Sequence, residues 1–186
     1  MIAMTYHILE QPVCYTGMEL RSGWVAKKTG LSGDAAAGFY GACGVPTENL
    51  VDKEDAAAGA TIRAKWMAHV IVEHPSCPLA MAVLRQRLLI CLLSETLTGQ
   101  GLKVHRDGDD IYLEGRKLTV SIAAPTSSGS IIHLGINIDP TGAPVSAIGL
   151  KEMGIDPKWL LTTLLDSYRD EMASCAHAEI KVRNVP

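Results

Sequence analysis

The sequence predicts an α+β fold, a largely antiparallel sheet with helices packed mainly on one face. Three features predict it. A run of short strands broken by turns occupies Asp107 to Ala124, and further β-rich runs lie at Trp66–Glu73 and Ile131–Ile138. Two long stretches, Ser76–Leu97 and the segment after Asp156, carry apolar residues at helical spacing. No internal repeat or low-complexity linker divides the chain, so residues 1–186 read as one domain.

In order, Thr5-Tyr6-His7-Ile8-Leu9 reads as a strand ending at Pro12. Thr16-Gly17-Met18-Glu19 has the capping-box pattern and predicts a helix from Thr16, with Leu20, Trp24 and Val25 inward and Gly30 at its end. Asp34–Gly44, rich in small residues, reads as a buried strand or a tightly packed crossing, although its three alanines favour helix. Pro46–Ala60 reads as a loop running into a short helix, and Trp66–Glu73 as a strand stopped by His74-Pro75. Ser76 is the expected cap of the next helix, Pro78 fits its first turn, and Gly99 and Gly101 end it. In the central stretch, Ile111-Tyr112-Leu113 turns at Glu114-Gly115 and returns over Lys117–Ala123. After the Ile131–Ile138 strand and a loop at 139–144, the last helix starts at Asp156-Pro157 and is expected to turn Trp159, Leu160, Leu164 and Tyr168 inward.

Composition narrows the function. Hydrophobic residues make up 47% and charged residues 20%, with a formal charge of −3, so nothing favours nucleic acid as the main partner. No apolar run reaches the ~18 residues of a membrane span, and the N-terminus lacks a signal-peptide pattern, which makes the cytoplasm the default compartment. The five cysteines are widely spaced and odd in number, which argues against a disulfide framework or a structural zinc site. His105 and His133, on separate strands, could meet and bind a metal with Asp107, or be ordinary core or surface histidines.

Asp110-Ile111-Tyr112-Leu113 followed by Gly115-Arg116-Lys117-Leu118 resembles the central motif of the biotin and lipoate protein ligases, whose usual form is Lys-Trp-Pro-Asn-Asp-Ile-Tyr and then Gly-Arg-Lys-Leu-Ala-Gly-Ile. The order of elements around it, with Ile131–Asn137 as the Gly-Ile-Asn strand, is also similar to the ligase catalytic domain. The resemblance therefore implies a ligase-like fold and a protein that binds a small carboxylic acid with ATP and Mg²⁺. An acyl-acceptor protein and a homodimer are the partners it allows. It also implies acyl-adenylate or acyl-transfer chemistry; the alternative is a non-catalytic binding or assembly protein on the same scaffold.

Residue by residue, Lys117 matches the ligase lysine that contacts both carboxylate and α-phosphate; a fixed cation there offsets the repulsion of two anions. A surface lysine beside a turn is the bland alternative. Arg106 falls at the motif's first lysine and implies a phosphate contact, Asp109 and Asp110 imply contacts to metal or ribose, and Asn137 to the base. Asp107 and Asp109 could hold Mg²⁺, or belong to a solvated Asp-Gly hairpin. Thr16 and Thr119 occupy positions near the acyl group in the ligases.

The sequence departs most from the ligases at their glycine-rich nucleotide loop. Ala58–Trp66 keeps one glycine, Arg63, Lys65 and the tryptophan, so Arg63 is the remaining cofactor-binding candidate there. Asp52, Glu54 and Asp55, just upstream, could form a metal or acid/base cluster or simply complement a helix N-terminus.

Overall fold

A computed structural model describes residues 4–185. The elements run β1 (Thr5–Ile8), α1 (Trp24–Thr29), β2 (Ala35–Val45), α2 (Lys53–Ala57), β3 (Ile62–Pro75), α3 (Leu79–Gly99), β4 (His105–Asp107), β5 (Asp110–Leu113), β6 (Arg116–Lys117), β7 (Thr119–Thr126), β8 (Gly129–Asp139), α4 (Leu150–Met153) and α5 (Pro157–Ile180). A five-stranded sheet in the order β1-β2-β3-β8-β7 carries the architecture, and β4-β5-β6 form a small second sheet. All pairs are antiparallel except β1 with β2. That pair is joined by a crossover containing α1, the connection a parallel pair requires.

Alternation along the long strands divides the core into two. Ala68, Val70 and Val72 of β3, with Ile132, Leu134 and Ile136 of β8, meet α3, α4 and α5 through residues such as Leu89, Leu93, Leu150, Leu164 and Tyr168. The opposite face carries Phe39, Met67, Ile71 and Ile131, covered by Tyr15, Trp24 and Val25 from the first connection. The long helices thus lie on one face, and the other face stays free to build a site.

Five local expectations are corrected. Thr16 does form the capping-box bond, its N–H reaching the Glu19 carboxylate at 2.8 Å, but the helix begins only at Trp24. Gly17 and Gly23 both take left-handed backbone, which interrupts the helical path between them. Ser76 does not cap α3; it has φ 59°, its N–H goes to the Ser128 carbonyl, and Pro78 occupies the N-cap. The strand returning from Glu114-Gly115 is two strands, because Lys117 pairs with Tyr112 while Val120 already pairs with Gly135 of β8. Residues 62–65, read as part of a loop, begin β3, whose register against β2 starts at Ile62. Trp159 remains 38% exposed, while Leu160, Leu164 and Tyr168 turn inward. The short elements β4 and α4 carry too few residues to show a period.

Candidate active site

Glu114 and Gly115 both have positive φ, 53° and 74°, as a two-residue hairpin turn of the type matching strand twist requires. The turn fixes β5 against β6 and sets Lys117 across from Tyr112. The backbone of Lys117 is held on two sides: its N–H donates to the Ser146 carbonyl at 2.9 Å, and its carbonyl accepts from Ile148 N–H at 3.0 Å and from Asn137 Nδ2 at 3.2 Å. Its side chain reaches Asp110, with Nζ 2.7 Å from the carboxylate. Burial disfavours the ammonium, but the bond and charge of Asp110 outweigh it and raise the Lys117 pKa. Burial also raises the Asp110 pKa, helped by the neighbouring charge of Asp109 and opposed by Lys117.

This pair stands in the wall of a cleft of about 390 Å³, within the ~300–1,000 Å³ range of small-molecule sites. Arg63, Asp109 and Asn137 also line it, as do Asp52 and Asp55 from the connection between β2 and β3. The Val145–Ala147 region closes the side where Lys117 is held. Four carboxylates therefore face two cations.

The structure brings together Lys117, Asp109, Asp110, Asn137 and Arg63. Their partners refine what each can do. Asp109 is bound by Arg87 Nη1 at 2.8 Å, by Gln86 Nε2 at 2.8 Å and by the Ser121 hydroxyl at 3.2 Å, so it ties the hairpin to α3. The Asn137 amide is engaged by the Lys117 carbonyl, so it positions that residue.

Four candidates fall elsewhere. Arg106 is exposed on β4 and donates to the Gly108 carbonyl, outside the cleft lining. Asp107, also on β4, is exposed and does not line the cleft. Among the described residues no group of three or more His, Cys, Asp or Glu is arranged to hold a metal. Thr119 is fully buried, its hydroxyl accepting the Ile111 N–H at 2.8 Å, and it braces β5 rather than facing a substrate. Thr16 is bonded to Glu19 and lies outside the cleft lining, while its neighbour Tyr15 lines a smaller space. Asp52 caps α2, its carboxylate accepting from Glu54 N–H and Asp55 N–H, which is the helix-terminus alternative for that acidic run.

His105 and His133 do not meet. His105 faces Tyr112 in the small sheet, whereas His133 lies in the middle of β8. The partner of His133 is His69 on β3, with Nδ1 of His69 3.1 Å from Nε2 of His133. Tyr15 stacks on His133 at 3.7 Å between ring centroids, and Phe39 on His69 at 4.9 Å. Burial lowers the pKa of His69 to about 3 and depresses that of His133, so both rings are neutral. His133 and Tyr15 line a chamber of about 70 Å³ that shares Asp52, Asp55, Ile62, Val120 and Ser121 with the main cleft. His69 lies on β3 and His133 on β8, 64 residues apart, and the pairing of those strands joins them, so no spacing in the sequence signals the pair.

Comparison with known proteins agrees with this architecture. The family model described as "Domain of unknown function (DUF366)" matches residues 4–183. An uncharacterised protein of Methanocaldococcus jannaschii is 37% identical over 147 residues, covering 76% of this chain and 66% of its own length, just under two thirds. A solved structure of a protein of unknown function from Pyrococcus horikoshi superposes with a TM-score of 0.94 at 37% identity, covering 99% of this chain and all of that one. Biotin protein ligase from Aquifex aeolicus in complex with biotin and ATP reaches a TM-score of 0.58 at 14% identity, covering 91% of this chain and 70% of the ligase. A putative lipoate protein ligase from T. acidophilum with bound lipoic acid reaches 0.55 at 14%, covering 93% and 87%. At such identities these two likenesses concern the fold, which is the ligase fold.

Proposed function

The chain belongs to the DUF366 family, and from its ligase-like fold and cleft we propose that it binds a small carboxylic acid and joins it, with ATP and Mg²⁺, into an activated acyl group for transfer to an acceptor. The observation that carries this reading is Lys117, whose ammonium is fixed in the cleft wall beside Asp110 by a backbone bonded on both sides. In the reaction a carboxylate oxygen would attack the α-phosphorus and pyrophosphate would leave. Lys117 offsets the repulsion between the two anions, and Arg63 on the same cleft adds a second cation. The substrate's apolar portion would occupy the chamber behind Val120 and Ile62.

Asp52 and Asp55 support a second reading, a binding protein without the chemistry. They line the cleft from the connection that replaces the ligases' glycine-rich loop, where carboxylates repel phosphates. Exchange of labelled pyrophosphate into ATP, tested with biotin, lipoate and fatty acids, separates the two. Acid-dependent exchange abolished by Lys117→Ala supports the enzyme. Saturable acid binding without exchange supports the binding protein, and neither binding nor exchange rejects both.

A further inference from the structure

A second cavity, of about 400 Å³, opens between α3 and α5 on the helix-covered side of the sheet, and it shares no lining residue with the cleft around Lys117. Helix periodicity builds its walls. Met81, Leu84 and Leu88 of α3, and Met172 and Ala176 of α5, recur at three- or four-residue spacing, so each helix turns an apolar stripe toward the space. Met81 is 44% and Leu84 63% exposed, so two large apolar side chains of this lining still await cover. One polar pair interrupts the stripe. Asp34, just ahead of β2, and Arg85 of α3 both line the cavity, with Arg85 Nη1 3.4 Å from one Asp34 oxygen. The other oxygen is 3.3 Å from Nδ1 of His74, which is fully buried and whose Nε2 is 3.0 Å from the buried Tyr168 hydroxyl. Burial raises the Asp34 pKa, but His74 and Arg85 outweigh it and hold the carboxyl below its ordinary value, so it is ionised. Arg85 meets Asp34 through a single nitrogen, which leaves most of its five donors unengaged among the described residues. Glu179, the remaining charge in the lining, is exposed at the last turn of α5.

A ligand head placed here meets a fixed anion and a fixed cation side by side. An anionic head on Arg85 comes against Asp34, and a cationic head on Asp34 comes against Arg85, so for either sign repulsion offsets the attraction. A neutral group carrying both an acceptor and a donor meets no such opposition, and hydrogen bonds to charged partners are the stronger kind. We propose that this cavity is a second binding site, for a neutral small molecule with an apolar tail and an amide-like head, its carbonyl accepting from Arg85, its N–H donating to Asp34 and its tail along Met81, Leu84, Leu88 and Met172. The volume is that of small-molecule sites, and the two methionines give a wall that adapts to the tail. Nothing in this rests on the acid reading of the cleft.

Titration with octanamide, octanoate and octylamine, three heads on tails of similar length, tests the proposal when followed by methionine-methyl NMR. Met81 and Met172 report this cavity, and Met67 reports the Lys117 cleft separately. At Met81 and Met172 octanamide should bind at least about ten-fold more tightly than octanoate or octylamine. Leu84→Asp, at an exposed position, should weaken octanamide by a similar factor and leave the response of Met67 to acids as it was. Arg85→Met, which keeps the apolar stem, should reverse the order and favour octylamine, because Asp34 then faces the cavity without its cation. Equal affinities for the three heads, octanoate or octylamine best at Met81 and Met172, no response of those methyls, or binding that Leu84→Asp does not weaken overturns the inference. So does sedimentation showing a dimer that Leu84→Asp dissociates, since a second copy would then cover the cavity. None of these results touches the acid reading, which stands or falls by acid binding at Met67 and by pyrophosphate exchange.

Discussion

Lys117 keeps its charge against burial because Asp110 lies 2.7 Å away, and that pairing sets what single substitutions should do. Lys117→Ala should lower acid affinity at least about ten-fold by titration while costing only ~1 kcal/mol of stability, because the pair is partly solvated. Asp110→Asn should act in the opposite sense, tightening acid binding by releasing the ammonium from its carboxylate. A weaker complex would instead give Asp110 a direct role with the ligand. His69 makes a separate statement. Its pKa is lowered from 6.5 to about 3 by burial, so below pH 6.5 the unfolded chain binds a proton the folded one refuses. Stability should therefore be intact above pH 6.5 and fall as pH drops toward 3, by an amount on the order of several kcal/mol. Chemical denaturation across that range should show a shallower acid limb for His69→Phe.

At the scale of elements, the connection between β2 and β3 most distinguishes the cleft. Asp52 caps α2 and also lines the cleft, so its charge can be removed while the cap is kept by asparagine. The double substitution Asp52→Asn and Asp55→Asn should raise ATP affinity in EDTA toward that in Mg²⁺. Unit like charges ~4 Å apart cost about 4 kcal/mol at an effective dielectric near 20, which is ample to make nucleotide binding cation-dependent. Equal affinities in EDTA and Mg²⁺ for the unaltered protein would place the phosphates away from these carboxylates. Gly41 supplies the other test. A side chain there would run into the carbonyl of Val13, whose N–H pairs with Tyr40, so the first connection could not lie on β2. Gly41→Ala should cost more than ~2 kcal/mol in denaturant melts.

The whole molecule places a cleft between the face of the sheet away from the long helices and the small β4-β5-β6 sheet. A ligand bound there should stabilise the entire fold, by ~2.7 kcal/mol at a concentration 100-fold above Kd. A shift of roughly 2–4 °C per kcal/mol is expected for a chain this size, measurable by thermal melts with the best acid. The sequence by itself determined the α+β class, the two long helices, the strand at Ile131–Ile138 and the turn at Glu114-Gly115, because period and turn chemistry are local. It also marked Lys117 and Asp110, since their hairpin is closed within eight residues. Tertiary structure alone decided the rest. The Asp34–Gly44 stretch reads as either a buried strand or a packed crossing, and the choice of strand for Ala35–Ala37, against their helix preference, comes from β1 and β3 flanking them and from Gly38 admitting Leu161 and Leu165 of α5. Asp109 was captured by Arg87 and Gln86 from a helix more than 20 residues away, and Thr119 by the backbone of β5. His69 and His133, 64 residues apart, became one hydrogen-bonded pair only when β3 and β8 set their register. Long-range pairing chooses such neighbours through burial and strand registry, and neither is written in the local pattern of residues.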